Sequence, residues 1–330
     1  MDFKKPRVAL YYDVIPQTGY RNDGANLFLS YNYRKLLDGD DPAQNPDVMG
    51  KDSGNFVHLS PLLPTVQHGS FDLNLLVDYG EDGLGLPLDW TIPHPNAYWI
   101  ADSHLGYDYR LKRSREFDHV FASHKPSIEK LVADGIPREK IHYMPWAAEP
   151  TCYRPFPIME KYDWCFIGFM NNPFRIELVD RFVKEWPLGT NGYLGWRYPQ
   201  FPQKNVLEDA AKVYCQSRVV LNEAVQDDLN MRVFEALSCR RLLLTEDIPA
   251  VRDHFKDNEH LILFKTVEEA VAKAKFILKD DGFRNYVAEK GHEEFLSKHT
   301  YRHRALEILK TCLDYEPKED THADSLSLSH

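Results

Sequence analysis

Between Leu221 and Asp247 the chain reads LNEAVQDDLNMRVFEALSCRRLLLTED, and its polar residues fall where an anion and a sugar could be held. An apolar run ending at Asn222 reads as a buried strand, a polar loop follows, a helix opens near Asn230, and a second strand begins at Leu242. At the carboxyl ends of parallel strands, helix N-termini turn unpaired N–H groups and a positive dipole end outward. Asn230 is placed to cap this helix, which leaves the amides of Met231 and Arg232 for a phosphate oxygen, and the Arg232 side chain can add a charge-assisted contact. Glu235 follows one turn later, where a carboxylate can accept both hydroxyls of a ribose. The same residues also fit a plain amphipathic helix that buries Val233, Phe234 and Leu237, with Glu235 solvated and Asn230 no more than a cap.

Other positions carry weaker signals. Gly168 ends a strand-like run, and a glycine there allows a phosphate to approach the backbone, although a turn glycine reads the same way. Arg175 could neutralise a pyrophosphate or sit exposed on a helix from Phe174 to Glu185. Asp102 and His104 follow another strand, and a histidine there suits proton transfer or hydrogen bonding to a sugar hydroxyl. The loop Thr18 to Asn26, with Gly19, Arg21, Asp23 and Gly24, could close over a ligand or be plain surface. Arg110, Lys112, Arg113 and Arg115 could attract an anionic acceptor or a membrane surface, but such a run is commonly a solvated helix face, and no membrane partner is inferred.

The elements that must position these residues alternate between strand and helix. Strand-like runs are Val8 to Val14, Leu73 to Val77, Ala97 to Ala101, His119 to Ser123 and Ile141 to Trp146 in the first half. The second half has Trp164 to Phe169, Tyr193 to Trp196, Arg218 to Asn222, Arg241 to Thr245 and His260 to Phe264. Helical periodicity lies between several of them, at Ala25 to Leu37, Tyr107 to Phe117 and Pro126 to Asp134, and it dominates after Phe264, in Val267 to Lys279, Gly282 to Lys298 and Arg302 to Leu313. Such alternation predicts α/β architecture with two parallel sheets. The proline-rich stretch Glu149 to Lys161 reads as a hinge, giving a first domain over 1–155, a second over 156–316 and a polar tail over 317–330.

The segment NMRVFEALSC followed by RRLLLTED resembles the signature of group 1 glycosyltransferases, in particular their branch similar to spore maturation protein B. FIGF with Arg175 downstream, HTYRHRALEIL at His299 to Leu309, YWIADSHLGYDYRL, FDHVFASHK and MPWAAEPTCYRP resemble the same branch, so the likeness covers most of the chain. The resemblance implies a GT-B fold, two facing Rossmann-like domains with parallel sheets across a cleft and a final helix crossing back to the first. It implies a nucleotide-diphosphate sugar of UDP or GDP type as donor substrate, with no separate cofactor and no metal, and a Glu235 that grips the donor ribose. Retention of anomeric configuration is the expected outcome, with Asp102 or His104 as base should the enzyme invert. Two positions depart from the pattern: Arg240 stands where a glycine commonly follows the cysteine, and Asp227 stands where many retaining members carry a second glutamate that meets the sugar.

Bulk properties set limits. The 330 residues exceed what one core usually serves, and 43% hydrophobic with 27% charged residues describes an ordinary folded protein. A net charge of −10 argues against a broad nucleic-acid surface. The five cysteines are scattered without a C-x-x-C pair, so buried free thiols are expected. No apolar run is long enough to span a bilayer, and the short polar lead into Val8 leaves no room for a signal peptide, so a cytoplasmic protein is expected. No G-x-G-x-x-G follows an early strand, which disfavours a nicotinamide dehydrogenase. Two alternatives to a glycosyltransferase with an unidentified acceptor stay open: a nucleotide-sugar epimerase of the same fold, and a non-catalytic nucleotide-sugar binding protein.

Overall fold

Runs such as VALY, LNLLVD and NAYWI are apolar at most positions, which suits strands covered on both faces. The computed structural model describes residues 5–11, 29, 32–39, 56–59, 71–78, 91–100, 106–170, 172–195, 208–224, 226 and 228–316. Two parallel sheets emerge. The first contains β1 (Val8–Tyr11), β2 (Phe56–Leu59), β3 (Leu73–Asp78), β4 (Asn96–Ile100), β5 (His119–Ala122) and β6 (Ile141–Tyr143), in the order β2-β1-β3-β4-β5-β6. The second contains β7 (Tyr162–Ile167), β8 (Gly192–Gly195), β9 (Ser217–Leu221), β10 (Leu242–Glu246) and β11 (Ile262–Phe264), in the order β11-β10-β9-β7-β8. Every named strand pair is parallel, so in both sheets the order reverses beside the first strand, between β1 and β3 and between β7 and β9. A crevice opens at such a switch point, beyond the strands' carboxyl ends.

The described helices are α1 (Tyr107–Ser114), α2 (Lys125–Ala133), α3 (Pro173–Glu185), α4 (Glu208–Cys215), α5 (Met231–Ser238), α6 (Pro249–Arg252), α7 (Val267–Ile277), α8 (Asp281–Lys298) and α9 (Tyr301–Leu313), with a helical turn at Arg34–Asp38. Each run read as a strand contains or overlaps a strand, most within a residue or two at their ends; β6 stops at Tyr143, three residues short of Trp146, and the run from Val8 passes beyond the described residues after Tyr11. The edge strand β2 and the helix α4 went unread: β2 is four residues long, and α4 is separated from β9 by Gln216 alone, which fuses the two patterns in the sequence.

Alternate residues of the strands feed different cores. Ala9, Tyr98 and Val120 face one outer layer of the first sheet, and Trp164, Val219 and Leu244 face an outer layer of the second. Leu10, Leu75, Trp99, Cys165, Val220 and Leu243 join one cluster that runs through both sheets. Helix α9 completes that cluster with Tyr301, Ala305, Ile308 and Leu309. It is tied to the first sheet by Arg304, which donates from Nε to the Pro145 carbonyl and from Nη2 to the Trp146 carbonyl, each at 2.8 Å. The Tyr301 ring lies 6.3 Å from Trp99 of β4. The final helix thus returns to the first Rossmann-like unit, as the resemblance implied. The stretch between the sheets, 149–161, contains no helix or strand.

Helix α1 corrects one expectation. Arg110 and Arg113 are 1% and 0% exposed, Arg110 facing Asp78 at 3.5 Å and Arg113 bonding Glu116 at 2.9 Å, so two of the four cations are buried beside carboxylates and only Lys112 and Arg115 stay on a solvated face. Among the described residues no helix is long and apolar enough to cross a membrane. The loop Thr18 to Asn26, the tail 317–330, and the candidate residues Asp102, His104 and Asp227 lie outside the described residues.

Candidate functional site

The second switch point gathers most of the remaining candidates. β7 delivers Gly168 and Phe169 just beyond its end, β9 delivers Asn222 and Glu223, and α5 opens beside them with Met231, Arg232 and Glu235. Pro173 stands at the start of α3, where its missing N–H costs nothing, and Asn172 caps the helix by accepting from the Arg175 amide at 2.8 Å. That start aims Arg175 inward.

Arg175 is 3% exposed and occupied within the fold. Its Nε donates to Glu223 Oε2 at 2.7 Å, its Nη1 to the Phe169 carbonyl at 2.7 Å and its Nη2 to the Glu223 carbonyl at 3.1 Å. Asn172 Nδ2 adds contacts of 3.1 and 3.3 Å to the two Glu223 carboxylate oxygens. The exposed alternative for Arg175 is therefore corrected. Glu223 already balances its charge, and the pair binds the end of β7 to the end of β9.

Arg232 is held differently. Its Nε donates to the Ile167 carbonyl at 2.6 Å and its Nη1 to Asn222 Oδ1 at 2.5 Å, while Asn222 is fixed by its own bond to Thr245 Oγ1 at 2.9 Å. The guanidinium lies 4.4 Å over the Phe166 ring. No carboxylate among the described residues pairs with it, and Nη2 donates no hydrogen bond to a described residue. A Cβ on Gly168 would stand 2.2 Å from that Nη2, so the glycine makes room for the cation. Gly168, Arg232 and the first turn of α5 therefore form a partly open cationic corner at the mouth of the crevice.

Asn230 occupies the N-cap position with φ −72° and ψ 163°, but its side chain accepts no helix amide. Instead Nδ2 donates to the Glu223 carbonyl at 3.1 Å. The expected side-chain cap is corrected, because the loop recruits Asn230 to hold Glu223. The amides of Met231 and Arg232 are left without a side-chain cap, as an anion site requires.

Glu235 is half-buried on the same helix, and its Oε2 accepts from the Tyr214 hydroxyl at 2.9 Å. Burial first, and the neighbouring carboxylate second, hold the Tyr214 phenol well above its ordinary pKa, so it remains a donor. Glu235 Oε1 takes no hydrogen bond from a described residue. The carboxylate is therefore fixed at one oxygen and open at the other.

Elements of the first sheet reach this crevice. His124, ahead of α2, meets Ser127 Oγ at 2.7 Å through Nδ1 and the Gln226 carbonyl at 2.8 Å through Nε2, a pattern satisfied by a proton on Nε2. Gln226 takes a left-handed φ of 53° in the loop after β9. Lys125 pairs with Asp253 at 2.6 Å, and the Tyr143 ring stacks on His254 at 5.8 Å. Sequence reasoning missed Tyr214, Asn222, Glu223 and His124. Tyr214 went with the unread α4, and the other three stand beside residues that had drawn attention for their own charge or spacing.

Residues 176–310 match the glycosyl transferase-like family, a span that begins inside α3 and ends inside α9. No curated protein matches the chain. Among solved structures, HepE of Anabaena in complex with UDP and glucose is similar with a TM-score of 0.60 at 11% identity, over 94% of this chain and 100% of that one. Sucrose-phosphate synthase of Thermosynechococcus elongatus gives a TM-score of 0.59 at 12% identity, over 92% of this chain and 97% of that one. A glycosyltransferase of Rickettsia africae gives 0.57 at 11% identity, over 94% and 100%. At such identities the likeness speaks for architecture, and function must be argued from the site. The chain has the GT-B fold, and within it residues 176–310 match the glycosyl transferase-like family.

Proposed function

We propose that this protein is a cytoplasmic glycosyltransferase that moves a hexose from a nucleotide-diphosphate sugar, of UDP or GDP type, to an acceptor. The pyrophosphate sits at the mouth of the second crevice. It takes hydrogen bonds from Arg232 Nη2 and from the first-turn amides of α5, which stabilise the charge that grows on the leaving diphosphate. Arg175 with Glu223 keeps the two strand ends in register beneath it. Glu235 accepts ribose hydroxyls, Asp227 reaches the sugar, and Asp102 and His104 serve the acceptor side across the cleft. Transfer proceeds with retention and without a metal. The reading rests above all on one observation: the cation at Arg232 and the open oxygen of Glu235 lie on one helix, at the switch point of a parallel sheet. That HepE was crystallised with UDP and glucose supports the choice of donor class.

A thermal-shift screen against UDP-sugars, GDP-sugars and the free diphosphates tests it, since a ligand that binds only the folded chain raises its melting temperature. At least one uridine or guanosine compound should raise it, Glu235→Ala should remove the rise, and transfer to water or to an acceptor should follow the same preference. A silent screen with folded protein sinks the reading.

A further inference from the structure

α4 contributes to the donor crevice a residue, Tyr214, that has no part in the proposed transfer. Tyr214 is 1% exposed, one residue before the end of α4, and its ring packs 6.5 Å from Tyr153 in the segment between the two sheets. Its hydroxyl crosses to α5 and donates to Glu235 Oε2 at 2.9 Å. Three residues earlier on α5, Arg232 is spaced to attract the same carboxylate, since side chains three apart on a helix are neighbours. No ion pair forms between them: Arg232 is turned to Ile167 and Asn222, and Glu235 to Tyr214.

We propose that Tyr214 is a positioning residue for nucleotide recognition. Its hydroxyl fixes the plane of the Glu235 carboxylate so that Oε1 meets a ribose hydroxyl, and it keeps that carboxylate from collapsing onto Arg232, which stays open to the diphosphate. The inference rests on the donor reading above and adds a part to it. A carboxylate on a free torsion must lose that freedom when the ribose binds, whereas one already held by a buried phenol is pre-organised.

The test compares UDP with 2′,3′-dideoxy-UDP, and GDP with its dideoxy form, by calorimetric titration. Tyr214→Phe keeps the ring and removes the hydroxyl. It should weaken the ribonucleotide on the order of tenfold, the worth of about one hydrogen bond, and leave the dideoxy compound within twofold. In the Glu235→Ala background the Tyr214→Phe change should have no further effect. Equal weakening of both ligands, or no weakening of the ribonucleotide while Glu235→Ala still weakens it, overturns the role of Tyr214 and leaves the donor reading standing. If Glu235→Ala itself changes nothing, the donor reading fails and the inference with it. A measurement on the unchanged protein covers the case in which the Phe variant unfolds: the ring-carbon resonance of Tyr214 should shift with UDP and stay in place with the dideoxy form, and a shift common to both overturns the proposal.

Discussion

Gly168 and Arg232 make a pair that one methyl group can separate. Because a Cβ at 168 would come within 2.2 Å of Arg232 Nη2, and that guanidinium is anchored at Ile167 and Asn222, Gly168→Ala should push the cation off its perch rather than unfold the chain. We expect about tenfold weaker binding of the diphosphate with little change in melting temperature, read by titration and by a thermal melt. Glu223 behaves in the opposite way. It is 4% exposed and balances an equally buried Arg175. Glu223→Ala should cost about 3–5 kcal/mol in a denaturant titration, the usual penalty for stranding a buried charge. A loss under 1 kcal/mol would mean that the pair is not the brace proposed here.

At the scale of elements, the end of α5 shows how the chain tolerates a departure from the pattern that its sequence resembles. The Arg240 amide donates to the Leu237 carbonyl at 3.0 Å and the Arg241 amide to the Ala236 carbonyl at 3.1 Å, which is the Schellman arrangement, with Arg240 at a left-handed φ of 53°. The turn a glycine would make is therefore present, at a conformational cost of about 1–2 kcal/mol for a residue with a Cβ, offset in part by the ion pair of Arg240 with Glu289. Arg240→Gly should leave stability unchanged or raise it by up to about 1 kcal/mol, while Arg240→Ile should lower it by more than about 1 kcal/mol, because a β-branched residue fits the left-handed region poorly. Chemical denaturation of the two variants decides the matter. The same helix marks how far the sequence reaches. Its apolar face, Val233, Phe234 and Leu237, and the glutamate one turn in are readable from spacing alone. The partner of that glutamate is not, since Tyr214 arrives from a helix 21 positions upstream whose pattern merges with β9. Nor could the charge on Arg175 be apportioned, because Glu223 lies 48 residues away and only the order β9-β7 makes them neighbours. Strand identity was legible because both faces of these strands are apolar; the order of the strands is a tertiary choice that local periodicity does not encode.

The whole molecule depends on contacts between its two sheets, and these carry a pH sensitivity. His254 and His299 lie beside Arg304, Phe255 and Tyr143, with ring centroids of the two histidines 5.3 Å apart. Burial first, then the charge on Arg304, pushes His254 down to about 4 and His299 to about 2. Arg304 Nη2 faces His299 Nδ1 at 3.4 Å, which suits a neutral ring. In the unfolded chain both histidines take up protons near pH 6.5, so below that value the unfolded state binds more protons than the folded one. Stability should therefore be fully present above about pH 6.5 and fall as the pH drops toward 4, with His254→Phe flattening the profile. Melting curves from pH 8 to pH 4.5 test this.

Where a nucleotide sits is tested most directly by a crystal structure of the chain soaked with the diphosphate that binds best. We expect the diphosphate within hydrogen-bond reach of Arg232 Nη2 and the first-turn amides of α5, with a ribose hydroxyl on Glu235 Oε1 and Tyr214 still bonded to Oε2. A nucleotide bound in any other place, with Glu235 touching only solvent and Tyr214, would contradict it.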